Sequence, residues 1–146
     1  MRKIILSIFI LIALCLPVMA ADVGTCTETL EDSPGSLIKV VKLDCVAATG
    51  DIVRTLTKSD AIKGHMLMQI NVTPIIAPTA SSDLYIYAGS GVRVSGTDFE
   101  NIVTTSGTIT YPQTGRPICW SSWTIDIDNN VVAAARVIIE MFFYKL

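Results

Sequence analysis

The sequence predicts an all-β fold: a single antiparallel β-sandwich, jelly-roll or immunoglobulin-like, preceded by a signal-peptide helix. Three observations lead there. Apolar and polar residues alternate with period two over most of the chain after residue 20. Clusters of Gly, Pro, Asn, Asp and Ser separate these runs at regular spacing. The remaining length, about 126 residues, suits one domain with a real core.

The first twenty residues are of another kind. Arg2 and Lys3 give a positive start, and Ile4 to Leu16 is apolar except for Ser7. Pro17 and the small-residue sequence Val18-Met19-Ala20 follow, completing the layout of a secretory signal cut after Ala20. The division is therefore a signal peptide over 1–20 and a β-sandwich domain over 21–146. About thirteen apolar residues are too few to cross a bilayer comfortably. Two alternatives stand beside cleavage: lipid attachment at Cys15, against which Leu14 is a bulky predecessor, and retention of the segment as a membrane or assembly helix. Export is the expectation, to the cell surface, the periplasm or the medium, with no membrane partner once the signal is gone. Removing Arg2 and Lys3 leaves nine basic against thirteen acidic residues, a formal charge of −4. With no Lys/Arg cluster, the surface offers no footprint for nucleic acid.

The strands follow in order. Val23 to Leu30 and Leu37 to Ala48 flank the turn Ser33-Pro34-Gly35-Ser36, with Val41, Leu43, Cys45 and Ala47 inward and Lys42 and Asp44 toward water. That turn lies midway between Cys26 and Cys45, so a hairpin sets the two cysteines opposite each other. An exported protein permits a Cys26–Cys45 disulfide, leaving Cys119 free or available to a neighbouring subunit; the alternative is three small buried apolar side chains. Ile52 to Thr57 is a third strand. Met66, Met68, Ile70 and Val72 form one face of the next, opposite His65, Gln69, Asn71 and Thr73. Leu84, Ile86 and Ala88 alternate with Asp83, Tyr85 and Tyr87, and Gly89-Ser90-Gly91 turns into Val92 to Val94. Thr108 to Tyr111, Cys119 to Ile127 and Val132 to Tyr144 complete the set. The last places Ala133, Ala135, Val137, Ile139, Met141 and Phe143 on one side, after a hairpin turn at Asp128-Asn129-Asn130. Ser59 to Lys63 and Asp98 to Val103 suit single helical turns.

Little in the chain suggests catalysis. His65 is the single histidine, with no second ligand for a metal and no nucleophile motif, and is expected at a surface or strand edge. No phosphate loop, His-Glu-x-x-His, Cys-x-x-Cys or Gly-x-Ser-x-Gly pattern occurs. The acidic run Asp126-Ile127-Asp128-Asn129-Asn130 lacks the spacing of a calcium loop and suits a polar turn as well. No catalytic, cofactor-binding or metal residue is assigned. Asn71-Val72-Thr73 matches a glycosylation acceptor, a pattern common by chance. Trp120 and Trp123 point to opposite faces of an extended strand. Trp123 shares its face with Ile125 and Ile127 and packs inside, so Trp120 lies outward or under the loop Pro112 to Pro117.

A further set of residues carries a resemblance. They are Asn71, Ala77-Pro78-Thr79, Asp83-Leu84-Tyr85-Ile86, Gly91-Val92-Arg93-Val94-Ser95-Gly96, Thr104-Thr105-Ser106, Asn129-Asn130 and Phe143-Tyr144. Over about half its length the chain resembles small uncharacterised phage- and prophage-encoded virion-associated β-sandwich proteins. The likeness departs at Arg93, where an acidic residue is expected, and at Val72-Thr73-Pro74 in place of an Asn-Pro-Gly turn. It implies a structural or decorating subunit with no catalytic residues to carry over.

The expected function is thus a non-catalytic structural subunit of a virion or extracellular assembly. It would join copies of itself or other assembly subunits through apolar and strand-edge contacts. Outward apolar side chains, Ile138, Phe142 and Tyr85 among them, are the expected interface. The alternative is a secreted module binding surface glycans, with Trp120, Tyr85 and Tyr87 as stacking platform.

Overall fold

A computed structural model describes residues 24–32, 35–48, 50–79, 82–89, 91–94, 109–112 and 117–146. The expected signal peptide, its cut after Ala20 and the helical turn at 98–103 lie outside the described residues. Eight strands are described: β1 (Thr25–Asp32), β2 (Ile38–Val46), β3 (Ile52–Thr55), β4 (His65–Ile76), β5 (Asp83–Ala88), β6 (Ile109–Pro112), β7 (Trp123–Asp128) and β8 (Arg136–Lys145). The only helical element among the described residues is a 3₁₀ turn at Ser59–Ile62.

The strands form two antiparallel sheets, a large one in the order β1-β2-β8-β4-β6 and a small one in the order β3-β7-β5. Connectivity decides between the two expected sandwich types. β2 pairs with β8, β3 with β7 and β4 with β6. The chain therefore runs out and back as one nested antiparallel ribbon, rolled so that successive pairs fall in opposite sheets. That is jelly-roll connectivity, not the immunoglobulin pattern.

The core is where alternation says it should be. Val41, Leu43 and Cys45 of β2 and Val137, Ile139, Met141 and Phe143 of β8 are buried against Ile52, Leu84, Ile86, Trp123, Ile125 and Ile127 of the small sheet. The Trp123 and Phe143 rings meet across the layers with centroids 5.6 Å apart. At this distance the tilted pair adds to the area each ring buries.

The expected bridge is present: Cys26 and Cys45 are bonded, directly opposite in the β1–β2 ladder. It closes a loop of sequence separation 19, which corresponds to about 3 kcal/mol by loop entropy. Replacing both cysteines with Ala should lower the denaturant midpoint accordingly, with β1, held to the sheet on one side alone, losing amide-exchange protection first. Cys119 is free and buried.

Four expectations need correction. In β4 the inward set is not Met66, Met68, Ile70 and Val72. A β-bulge between Leu67 and Gln69 makes Met68 an extra residue, so Leu67 points in before it and Ile70 and Val72 after it. Met66 and Met68 are only half-buried, and Met68 lines a groove on the outer side. The segment from Cys119 is not continuous with β7. Ile118 bridges Met66 and the Cys119 N–H donates to the His65 carbonyl (2.9 Å), so this part runs beside the large sheet, whereas Trp123–Asp128 belongs to the small one. β8 begins at Arg136, not Val132: Ala134 adopts φ 57° and Ala133 is exposed. Finally, Asp128-Asn129-Asn130 is no hairpin turn, because β7 and β8 lie in different sheets. Asn129 does take the left-handed conformation, at φ 61°.

Candidate interaction surface

The reactive side chains are buried or already engaged. His65 opens β4, at the strand end rather than at the surface, and is buried; its Nδ1 lies 3.2 Å from the Lys63 carbonyl. A carbonyl can only accept, so Nδ1 carries the proton there. Burial pushes the Cys119 thiol up to about 11, and its Sγ donates to the Ser121 carbonyl (3.2 Å), so the thiolate a nucleophile needs is suppressed at neutral pH. Asn71 sits within β4, its side-chain oxygen accepting from Gln69 (2.8 Å), unlike the open loop a glycosylated Asn occupies.

The acidic run is engaged in local hydrogen bonds. Asp128 accepts the Asn129 N–H (2.9 Å), and Asn129 donates to Asp83 (3.0 Å). Asn130 turns inward and is almost fully buried. Its amide nitrogen donates to the Gly50 (2.9 Å) and Val132 (3.2 Å) carbonyls. Its side-chain oxygen accepts from the Val132 (3.1 Å) and Thr79 (3.3 Å) N–H groups. One side chain thus ties the β2–β3, β4–β5 and β7–β8 connections together. Among the described residues no three His, Cys, Asp or Glu side chains are grouped to hold a metal ion.

Asp126 alternates to the outer face of the small sheet, between Val53 and Tyr85. Burial, then the nearby carboxylates of Asp128 and Asp51, push its pKa up to about 6. A raised folded-state pKa stabilises the protein fully below the unfolded value near 4, and the contribution is lost as pH rises through about 6. Asp126→Asn should therefore stabilise the protein at pH 8, by at most about 1 kcal/mol once solvent screening of a half-exposed group is allowed for, and leave it unchanged at pH 4. Thermal melts of both proteins across this range test the sign.

The five side chains expected to form a contact surface do not lie together. Tyr85 and Tyr87 lie on the outer face of the small sheet, centroids 6.2 Å apart. The Arg93 guanidinium stacks 4.1 Å over the Tyr85 ring, and the Tyr85 hydroxyl donates to Asp83 (3.1 Å). Ile138 and Phe142 lie on the opposite side of the molecule, on the outer face of the large sheet, and both are half-buried. Phe142 and Trp120 lie toward the end where β4 begins and β8 finishes.

That end is the apolar one. Ile38 and Tyr144 are opposite each other, Tyr144 faces Met66, and Met66 bridges Ile118, two residues before Trp120. Ile38 is 49% exposed, Trp120 65% and Leu146 66%. A groove of about 240 Å³ opens beside Ile38, lined by Ile38, Met68, Gln69, Phe142, Phe143 and Tyr144. Farther along the same face the surface is charged and self-paired: Lys42 with Glu140 (3.5 Å) and Arg136 with Asp44 through two short bonds (2.8 and 2.6 Å). The Arg136 bonds hold the Asp44 carboxyl below its ordinary range. Phe142 and Trp120 are among the contact residues expected from the sequence; Ile38 and Tyr144 are not. Their signal was weak, because Ile38 opens a strand next to a turn and Tyr144 closes one. The chain matches no protein-family model and no curated protein at a significant level.

Proposed function

We propose that this chain is an exported, non-catalytic structural subunit of a virion or extracellular assembly, joining its neighbours through apolar and strand-edge contacts. The observation that carries the reading is the apolar end of the large sheet, where Ile38, Met68, Phe142 and Tyr144 line an open groove. Apolar side chains gathered around a concavity mark association surfaces more often than bare solvent contacts. The Cys26–Cys45 bridge fits an oxidising compartment, and among the described residues no helix is long and apolar enough to cross a membrane. Jelly rolls serve as capsid and lectin domains alike, so the fold supports the reading by analogy alone. The likeness to virion-associated phage proteins points the same way.

A second reading, a secreted glycan-binding module, is favoured by the exposure of Trp120, since an open indole face suits stacking on a sugar ring. Light scattering and glycan-array binding of the purified exported protein separate the two. A subunit should form oligomers or particles and ignore glycans. A binding module should stay monomeric and lose its glycan on Trp120→Ala.

A further inference from the structure

β1 is the outer strand of the large sheet, and its backbone orientation follows from the ladder. The Ala47 N–H donates to the Ala135 carbonyl and the Lys145 N–H to the Leu37 carbonyl, both at 2.8 Å. Odd-numbered residues of β2 therefore turn their backbone groups to β8, and even-numbered ones to β1. The latter pair with Thr25, Thr27, Thr29 and Glu31. Cys26, Glu28, Leu30 and Asp32 are left pointing N–H and C=O away from the sheet. The 4.0 Å Cα separation of Cys26 and Cys45 agrees, since the closer cross-strand pairs are the non-hydrogen-bonded ones.

The other edges are less inviting. β3 and β6 have four residues each, and β6 ends in Pro112. The outer side of β5 is occupied, with the Ala88 N–H donating to Val92 and the Val94 N–H to Ile86 (both 2.8 Å). β1 runs eight residues without Pro, Lys, Arg or a bulge; its charges are the acids Glu28, Glu31 and Asp32, the last paired with Lys39 (2.9 Å). Its inward charge, Glu28, is already engaged, accepting from the Thr57 N–H and hydroxyl (2.7 Å each) and the Lys58 N–H (2.8 Å).

Resting on the assembly reading, we propose that β1 pairs antiparallel with β1 of a second copy about a two-fold axis at Thr29, joining two large sheets edge to edge. Backbone direction requires even-numbered residues to meet even-numbered ones. Among such registers, the acids choose. An axis at Glu28 sets that carboxylate against itself, and an axis at Leu30 sets Glu28 against Asp32. An axis at Thr27 avoids both but engages only residues 25–29 of the strand. The Thr29 axis pairs Cys26 with Asp32, Thr27 with Glu31, Glu28 with Leu30 and Thr29 with its symmetry mate. It engages residues 26–32 with no carboxylate opposite another, and like charges directly opposite are what a sheet penalises.

At that axis two Thr29 side chains form a non-hydrogen-bonded pair, the same arrangement that holds the Cys26–Cys45 bridge. Thr29→Cys in the exported, disulfide-bonded protein should therefore convert mostly to a covalent dimer under mild oxidation. Peptide mapping should give a 29–29 link, and Thr27→Cys should stay unlinked. Thr29→Asp should remove the dimer, with the unfolding midpoint unchanged at concentrations where both proteins are monomeric. Oligomers seen by light scattering without a 29–29 link, or with equal linking at 27, would overturn the edge pairing and leave the assembly reading standing. A protein that stays monomeric and never links at 29 would overturn both.

Discussion

Replacing Asn130 with Ala is expected to cost about 2–4 kcal/mol, on the order of 10 °C in Tm for a domain of this size. The expectation rests on what the side chain leaves behind. Two carbonyls, Gly50 and Val132, lose a donor, and two N–H groups, Thr79 and Val132, lose an acceptor, at a site almost closed to water. Unpaired buried groups are costlier than the bonds themselves are favourable. Asn130→Asp sharpens the test. It keeps size and acceptor but removes the amide donors and sets a carboxylate beside two carbonyls, close to Asp51, which already accepts the Asn130 backbone N–H (3.2 Å). The Asp variant should be at least as unstable as the Ala variant at pH 7 and should recover in part in acid, where the carboxyl is neutral. Chemical denaturation at pH 4 and pH 7 measures both effects. A loss under about 0.5 kcal/mol for Ala, the range of an ordinary surface change, would mean that the three connections are not held by this residue.

The second large effect concerns association. Phe142→Asp places a carboxylate in the groove that Ile38, Met68 and Tyr144 share. If this face is covered by a neighbouring subunit, the carboxylate loses its water without gaining a partner. The cost is several kcal/mol, enough to weaken association by two or more orders of magnitude. In the free subunit Phe142 is half-buried, so about 1 kcal/mol of folding stability is lost as well. Ile38→Asp, at a more exposed position, separates the two effects: it should block association with little change in folding. Circular dichroism follows the fold and analytical ultracentrifugation the association constant. Two folded variants that associate like the unaltered protein would remove this end of the sheet from the interface.

Much of the sandwich was legible in the sequence because its central strands alternate cleanly. β2 and β8 each carry apolar residues at every second position, and each buries that set. The Cys26–Cys45 pairing was legible for a related reason: one compact turn fixes the hairpin register, and two cysteines equidistant from it must meet. β4 resisted because Met66, Leu67, Met68 and Ile70 offer apolar residues on both parities. Period two cannot then locate the bulge that reconciles Leu67 inward with Ile70 inward. The two tryptophans were separated correctly but for the wrong reason. Spacing places them on opposite faces of one strand, whereas Trp120 follows a segment beside the large sheet and Trp123 begins β7 of the small one.

The surface was less legible than the core, as physics requires. Burial of an apolar face leaves a periodic trace, whereas a patch assembled from Ile38, Tyr144 and Trp120 exists only once β2, β8 and the segment after β6 are neighbours. Asn130 shows the same limit for polar residues. Asp128-Asn129-Asn130 announces a turn, but nothing local tells that its last residue will be swallowed to bind three connections. The expected hairpin became a crossing between sheets because the ribbon pairs β8 with β2 and β4 instead of β7.

Scattering mass measured on the native, disulfide-bonded protein, with electron microscopy of the same sample, tests the central claim most directly. A subunit that works through its apolar end and open strand edge should give a mass at multiples of the single chain, with discrete oligomers, particles or filaments in the images. A single monomeric mass, unchanged up to the highest soluble concentration and with no ordered particles, would contradict it.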